Sequence, residues 1–211
     1  MGDTNGPGNR FDGLNCPTDV LIDKVTNCLI ICDEGNRRVV QRSRLSDTTQ
    51  EKILINDIHC WGLAMDDQRY LYISDTAKHE VRRYKIEDNT ETIVAGGNGK
   101  GDAYNQLKRP TYIVVDRQQT VYVSDNENHR VMKWNKGAKE GIVVAGGPGE
   151  GNDRTKLSNP HGLFVDTLGT IYVADSGNNR VMRWPKGAKQ GTVIAGGNDE
   201  GNGSNQLSWP R

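Results

Sequence analysis

The sequence predicts an all-β protein, a β-propeller of four-stranded antiparallel blades. Three observations predict it. A hairpin pattern of apolar run, Asp-led polar turn and Arg-Val or Glu-Val run occurs four times: CLIICDEGNRRVVQR from Cys28, YLYISDTAKHEVRRY from Tyr70, TVYVSDNENHRVMKW from Thr120 and IYVADSGNNRVMRW from Ile171. An opening motif ending in Asp precedes each hairpin, as PTDVLID, CWGLAMD, PTYIVVD and PHGLFVD from Pro17, Cys60, Pro110 and Pro160, at intervals of 43, 50 and 50 residues. A period of this length with four strands per unit is the mark of propeller blades. The composition agrees: hydrophobic residues make up only 34% and glycines number 25, which suits short strands and tight turns rather than long helices. No segment sustains a 3.6-residue apolar period.

Each blade reads strand by strand. In the last repeat residues 162–166 (GLFVD) form the first strand, and the turn at 167–169 leads to the second at 170–174. The turn at 175–179 leads to the third strand at 180–184, and the turn at 186–191 to the fourth at 192–195. A loop rich in Gly, Asn and Asp (GGNDEGNGSNQL) then crosses to the next unit. The first strand is the most apolar and belongs near the axis; the third alternates Val and Met with Arg, Lys and Trp and belongs nearer the rim. The blades span approximately 18–56, 61–97, 111–147 and 161–197 of one domain, 1–211. AGG triplets end the last three, at Ala95, Ala145 and Ala195, whereas the first ends in ILIN. Met1–Thr18 aligns with Ile194–Arg211, so the chain holds four sets of strands without a shared closing blade. The expectation is four blades of a five- or six-bladed ring, with closure as four blades or as a dimer of half-rings as the alternative, and self-association through the incomplete edges as a hazard.

Taken together, PHGLFVDTLGTIYVADSGNNRVMRW, Asn128-His129-Arg130 and Asn178-Asn179-Arg180 resemble the NHL repeat family. The resemblance covers essentially the whole chain and is weakest in the second blade, which has Lys78-His79-Glu80 where the others have Asn-x-Arg. It implies a propeller, commonly of six blades. It also implies several roles: substrate- or RNA-binding ends of tripartite-motif ubiquitin ligases, sensor domains of receptor kinases, and the lyase domain of peptide-amidating enzymes.

Recurring residues read as architecture. Asp33, Asp125 and Asp175 each precede an Arg by five positions (Arg38, Arg130, Arg180), and carboxylate and guanidinium meet across the hairpin as structural ion pairs. Asp75 faces Glu80 instead, which predicts a different partner, such as Arg82 or Lys78, or a looser turn. Asp23, Asp66, Asp116 and Asp166 close the first strands and cap turns. The glycine loops such as GGNGKG lack the strand-loop-helix context of a phosphate site. Of the four cysteines, Cys28 and Cys32 lie about 13 Å apart on one extended strand and cannot pair. Buried or half-buried thiols are expected, with a disulfide involving Cys16 as the alternative. Asn202-Gly203-Ser204 is a glycosylation sequon, relevant to a secreted protein.

On a repeat scaffold function sits in what differs between repeats. The position after each blade-opening residue holds Thr18, Trp61, Thr111 and His161, with Tyr112, Arg109, His59 and Trp209 close by in sequence. Thr18, Trp61, Thr111, Tyr112, His161 and Arg109 are the candidate binding surface, at one mouth of the central channel. Trp61 and Tyr112 are aromatics of the kind enriched at binding hot spots, and Arg109 and Arg211 can contact phosphate or carboxylate. In amidating lyases that the chain resembles, zinc histidines occupy the Pro-His position of several blades; here only His161 matches, so no metal and no cofactor is expected. No nucleophile-base constellation is apparent, so no catalytic residue is assigned. Lys plus Arg equals Asp plus Glu at 27 each, which gives no global attraction to nucleic acid or acidic membranes. No apolar run reaches transmembrane length, and the N-terminus lacks the apolar core of a signal peptide. The expected function is a non-catalytic scaffold presenting loops and channel mouth to a protein partner. The alternatives are a metal-dependent propeller enzyme similar to peptide-amidating lyase, and an RNA-binding or substrate-recognition part of a ubiquitin-ligase-like protein.

Overall fold

Four opening motifs and four hairpins become four sheets. The computed structural model describes residues 13–45, 51–87 and 90–211. Blade A holds β1 (Pro17–Asp23), β2 (Cys28–Asp33), β3 (Arg38–Ser43) and β4 (Glu51–Asn56). Blade B holds β5 (Cys60–Met65), β6 (Tyr70–Asp75), β7 (Glu80–Lys85) and β8 (Thr90–Gly96). Blade C holds β9 (Pro110–Val115), β10 (Val121–Asp125), β11 (Arg130–Trp134) and β12 (Ile142–Gly146). Blade D holds β13 (Pro160–Val165), β14 (Ile171–Asp175), β15 (Arg180–Trp184) and β16 (Thr192–Gly196). In each sheet the strands pair antiparallel in sequence order. This is an all-β chain of four propeller blades. The stretch 1–12, on which most of the Met1–Thr18 alignment and the N-terminal leader reading rest, lies outside the described residues.

The opening strands line the axis. β1 packs on β5, β5 on β9 and β9 on β13. Each is bulged near its start, as at Pro160/Leu163 and Cys60/Leu63. A bulge re-aims side chains, and here it acts on the residues that follow the opening Pro or Cys. The fourth strands lie outermost and are largely exposed, as the pattern of β16 shows.

The core lies between blades. Blade A presents Ile30, Cys32 and Val39 to Leu63, Leu71 and Ile73 of blade B. Tyr72, Val81 and Ala95 of blade B meet Ile113, Val123, Met132 and Trp134 of blade C. Tyr122, Val131 and Ala145 of blade C meet Val173, Met182 and Trp184 of blade D. The period of 2 along each strand produces this: alternate residues face the preceding and the following blade. Trp134 and Trp184, placed toward the rim by the sequence, are each only 1% exposed. Blades splay apart outward, and a large ring fills the widening wedge. Where no ring fills it, clefts of about 660 and 1030 Å³ remain between the outer parts of blades B and C and of C and D. The two clefts share lining residues fifty positions apart, such as Tyr72 and Tyr122 or Lys136 and Lys186. They are a product of radial geometry.

The recurring Asp and Arg hold the turns. Asp33 pairs in register with Arg38, Asp125 with Arg130 and Asp175 with Arg180. Arg130 Nε donates to Asp125 Oδ2 at 2.7 Å, while its terminal nitrogens donate to the carbonyls of Asp102, Ala103 and Gln106. Arg180 repeats this with Asp175, Asn152, Asp153 and Lys156. Each guanidinium thus ties its own hairpin to the loop arriving from the previous blade, and its buried charge is compensated. In blade B, Asp75 accepts from the backbone N–H groups of Ala77 and Lys78, and Glu80 takes Arg82 at 2.6 Å.

The cysteines depart from the sequence expectation of free thiols or a Cys16 disulfide. Cys32 and Cys60, both fully buried, form a disulfide between blades A and B; Cys16 and Cys28 are free. The sister positions explain it. Where blade A has Cys32, blades B and C have Ser74 and Ser124, which donate to the carbonyls of Thr111 and His161 on the next blade's opening strand at 2.5 and 2.6 Å. Cys60 is itself a blade-opening residue. The disulfide replaces a recurring inter-blade hydrogen bond.

Candidate binding site

The residues that break the repeat converge at one end of the axis. Trp61 on β5, Tyr112 on β9 and His161 on β13 come from three successive opening strands. The ring centroids of Trp61 and His161 are 5.8 Å apart at a 51° tilt, and those of Tyr112 and His161 are 6.3 Å apart, edge to face. Arg109, in the left-handed region at φ 54°, stacks its guanidinium 5.4 Å from the Trp61 ring centre, within cation–π range. Its backbone N–H is held by His79 Nδ1 at 3.2 Å. Gly62 allows the close approach: a Cβ there would lie 2.6 Å from the Thr111 carbonyl.

The electrostatics of the mouth are uneven. Burial, and after it the Arg211 and Arg109 guanidiniums, push the pKa of His161 down to about 4. The imidazole is therefore neutral at pH 7. Asp19 accepts backbone N–H bonds from Leu63 and Val20, yet burial raises its pKa. Burial and the nearby Asp19 carboxylate raise the Tyr112 phenol, against the pull of Arg211. Among the described residues neither Arg109 nor Arg211 is in an ion pair. Trp61 Nε1 and His161 Nδ1 are shut from solvent and have no hydrogen-bond partner. Such an orphan costs about 1–3 kcal/mol unless water or a ligand group supplies a partner.

Two of the six residues expected at this surface lie elsewhere. Thr111 is fully buried, with its hydroxyl near the carbonyls of Pro160 (3.4 Å) and Ser124 (3.5 Å). Thr18 donates to the Trp61 carbonyl at 2.8 Å. Both join blades, since each hydroxyl reaches a carbonyl of the next blade's opening strand. Arg211 belongs to the site, although the sequence marked it chiefly as the start of a further unit. Asp19 was missed; the signal available was its column, where Gly62 and Gly162 leave it and Tyr112 as the side chains present.

The other histidines are accounted for structurally. His129 Nδ1 accepts from Asn159 N–H as His79 does from Arg109, and Asn179 Oδ1 serves Trp209 in the same way. His59 lies 3.6 Å from Glu34. Among the described residues no group of three His, Cys, Asp or Glu is placed to hold a metal ion.

The chain is similar in fold to several solved propellers. A gluconolactonase from Xanthomonas campestris superimposes with a TM-score of 0.70 at 17% identity, over 90% of this chain and 65% of that one. An auxiliary nutrient binding protein from Bacteroides thetaiotaomicron gives 0.70 at 16%, over 93% and 50%. A virginiamycin B lyase from Staphylococcus aureus gives 0.59 at 10%, over 84% and 55%. At these identities the likeness is one of fold, and the chain spans about half to two thirds of the length of these structures. No curated protein matches the chain. The NHL repeat model matches residues 107–134 and 157–183, which contain the hairpins of blades C and D. The chain is a β-propeller that carries NHL repeats.

Proposed function

We propose that the chain is a non-catalytic binding module whose axial mouth engages a protein partner. One observation supports this above the others: three aromatic rings on successive opening strands and two guanidiniums outside any ion pair among the described residues, none repeated around the ring, gather with two polar atoms unpartnered. Aromatic and arginine side chains are the usual anchors of protein interfaces. The fold does not choose between roles, since its neighbours include a lactonase and a lyase as well as a nutrient-binding protein.

A random-peptide display selection on the 211-residue chain tests the reading. Enriched peptides should bind the wild type and lose about thirtyfold with Trp61→Ala or Tyr112→Ala, as a hot-spot truncation of about 2 kcal/mol requires. Peptides that bind these variants as well as wild type would place the interface elsewhere and end the proposal.

A further inference from the structure

We infer that the group received at the mouth is a carboxylate, engaged by Arg109 and Arg211 beside the Trp61 indole and the His161 ring. This rests on the reading of the mouth as a binding site and adds the chemistry of what enters it.

The local charge sets the sign. Arg109 and Arg211 bring two guanidiniums to the mouth, neither of them in an ion pair among the described residues, while His161 is neutral. Asp19 is already committed to two backbone N–H groups, so it does not satisfy the guanidiniums. The two guanidiniums without an ion-pair partner call for an anionic group. The unmet hydrogen-bonding groups point the same way. The Trp61 indole N–H is a donor only, so its missing partner is an acceptor. Five N–H donors on each guanidinium also seek acceptors. A carboxylate supplies acceptors alone. The aromatic faces of Trp61 and Tyr112 meanwhile suit the short aliphatic stem that carries such a group on a peptide. A cationic ligand leaves the indole N–H unmet and faces two guanidiniums; an amide carbonyl can accept from the indole but brings no negative charge for the guanidiniums.

Indole resonances in a ¹⁵N-tryptophan-labelled chain provide a site-specific readout. The chain has four tryptophans, and Trp61→Phe identifies one signal while keeping an aromatic ring. The probes are acetyl-Gly-Glu-Gly-amide, its Gln counterpart, free acetate and inorganic phosphate. The Glu peptide should shift the Trp61 signal saturably and the Gln peptide should not. Arg109→Gln, an exposed position, should weaken the Glu peptide by about tenfold, the loss of one charged hydrogen bond. A shift with acetate comparable to that with the Glu peptide would identify a free small-molecule carboxylate as source, and would uphold the carboxylate while counting against a peptide. Equal shifts with Glu and Gln peptides would overturn the carboxylate and leave the binding-module reading standing. Tighter binding of phosphate than of the Glu peptide would also overturn it. Absence of any shift with every probe, while displayed peptides still depend on Trp61, would likewise refute the carboxylate alone.

Discussion

At the scale of single residues, His161 is held neutral by burial and by two cations, Arg211 and Arg109, with the Tyr112 and Trp61 rings around it. Its folded pKa, about 4, lies below its ordinary value of 6.5. The unfolded chain therefore binds the proton more readily, and stability falls as pH drops. The contribution is complete above pH 6.5 and is lost progressively toward pH 4. Urea midpoints measured from pH 7 to 4.5 should fall further for wild type than for His161→Gln, which cannot titrate; parallel curves would show that the imidazole is not held in this way. The comparison removes the common background, which includes His79, also lowered by burial and Lys100. A second residue-scale prediction concerns Asp125→Asn. It leaves the guanidinium of Arg130 inside the fold without its counter-charge, so chemical denaturation should show a loss of about 3–5 kcal/mol. A loss below about 1 kcal/mol would mean that the carbonyls of Asp102, Ala103 and Gln106 suffice. Trp61, Tyr112, His161 and Arg109 were legible in the sequence because they break a repeat whose other members are alike. Thr18 and Thr111 share that column, but their hydroxyls are taken up by carbonyls of the next blade's opening strand, a contact between blades that a strand pattern of period 2 does not reveal.

At the scale of elements, the join between neighbouring blades decides the architecture. Ser74 Oγ accepts from Gly62 N–H at 2.8 Å and donates to Thr111 O, so one hydroxyl links two opening strands. Blade D uses Ser176, donating to Pro210 O, because Ala174 stands in the serine column. Blade A uses the disulfide, which spans 28 residues and holds its Cα atoms 5.8 Å apart. Closing a loop of that length is worth about 3.5 kcal/mol in the chain-entropy model, and the bond persists where the surroundings are oxidising. Cys32→Ala with Cys60→Ala should thus cost at least about 3 kcal/mol of unfolding free energy. Cys32→Ser with Cys60→Pro should recover about 1 kcal/mol of that, by restoring the sister blades' hydrogen bond. Equal stability of the two double variants would show that the serine link has no net worth here. The blade as an element was fully readable from periodicity and turn residues. The disulfide was not read, because the pairing follows from the packing of one blade on the next. The sister serines point to the same junction, since Ser74 and Ser124 bond the carbonyl one residue past the column that Cys60 occupies.

At the scale of the whole molecule, the four blades bury three inter-blade interfaces and leave the outer face of each terminal blade uncovered among the described residues. The contrast with sister positions is direct. Ala195 of blade D is exposed where Ala95 and Ala145 are each 2% exposed, and Leu207 is half-buried where Leu107 and Leu157 are fully buried. Phe164 and Ile194 on the same face are 60% and 48% exposed. On blade A, Val20 is 55% exposed where Leu63 and Ile113 are 7% and 5%. These two faces are the two halves of the interface that recurs inside the chain, the face of blade D matching what a following blade receives and that of blade A what a preceding blade offers. Apolar faces of this kind associate, and the complementarity makes the contact heterologous, blade D of one copy on blade A of another. Sedimentation velocity over a concentration series should show association of the 211-residue chain that strengthens with sulfate, as apolar burial does. Phe164→Glu disables one half and Val20→Glu the other, so each variant alone should sediment as a monomer. An equimolar mixture still contains one intact blade D face and one intact blade A face, and it should form dimers and no larger species. Dimers of either variant alone would demand contact between like faces, and a mixture that stays monomeric would remove the head-to-tail arrangement.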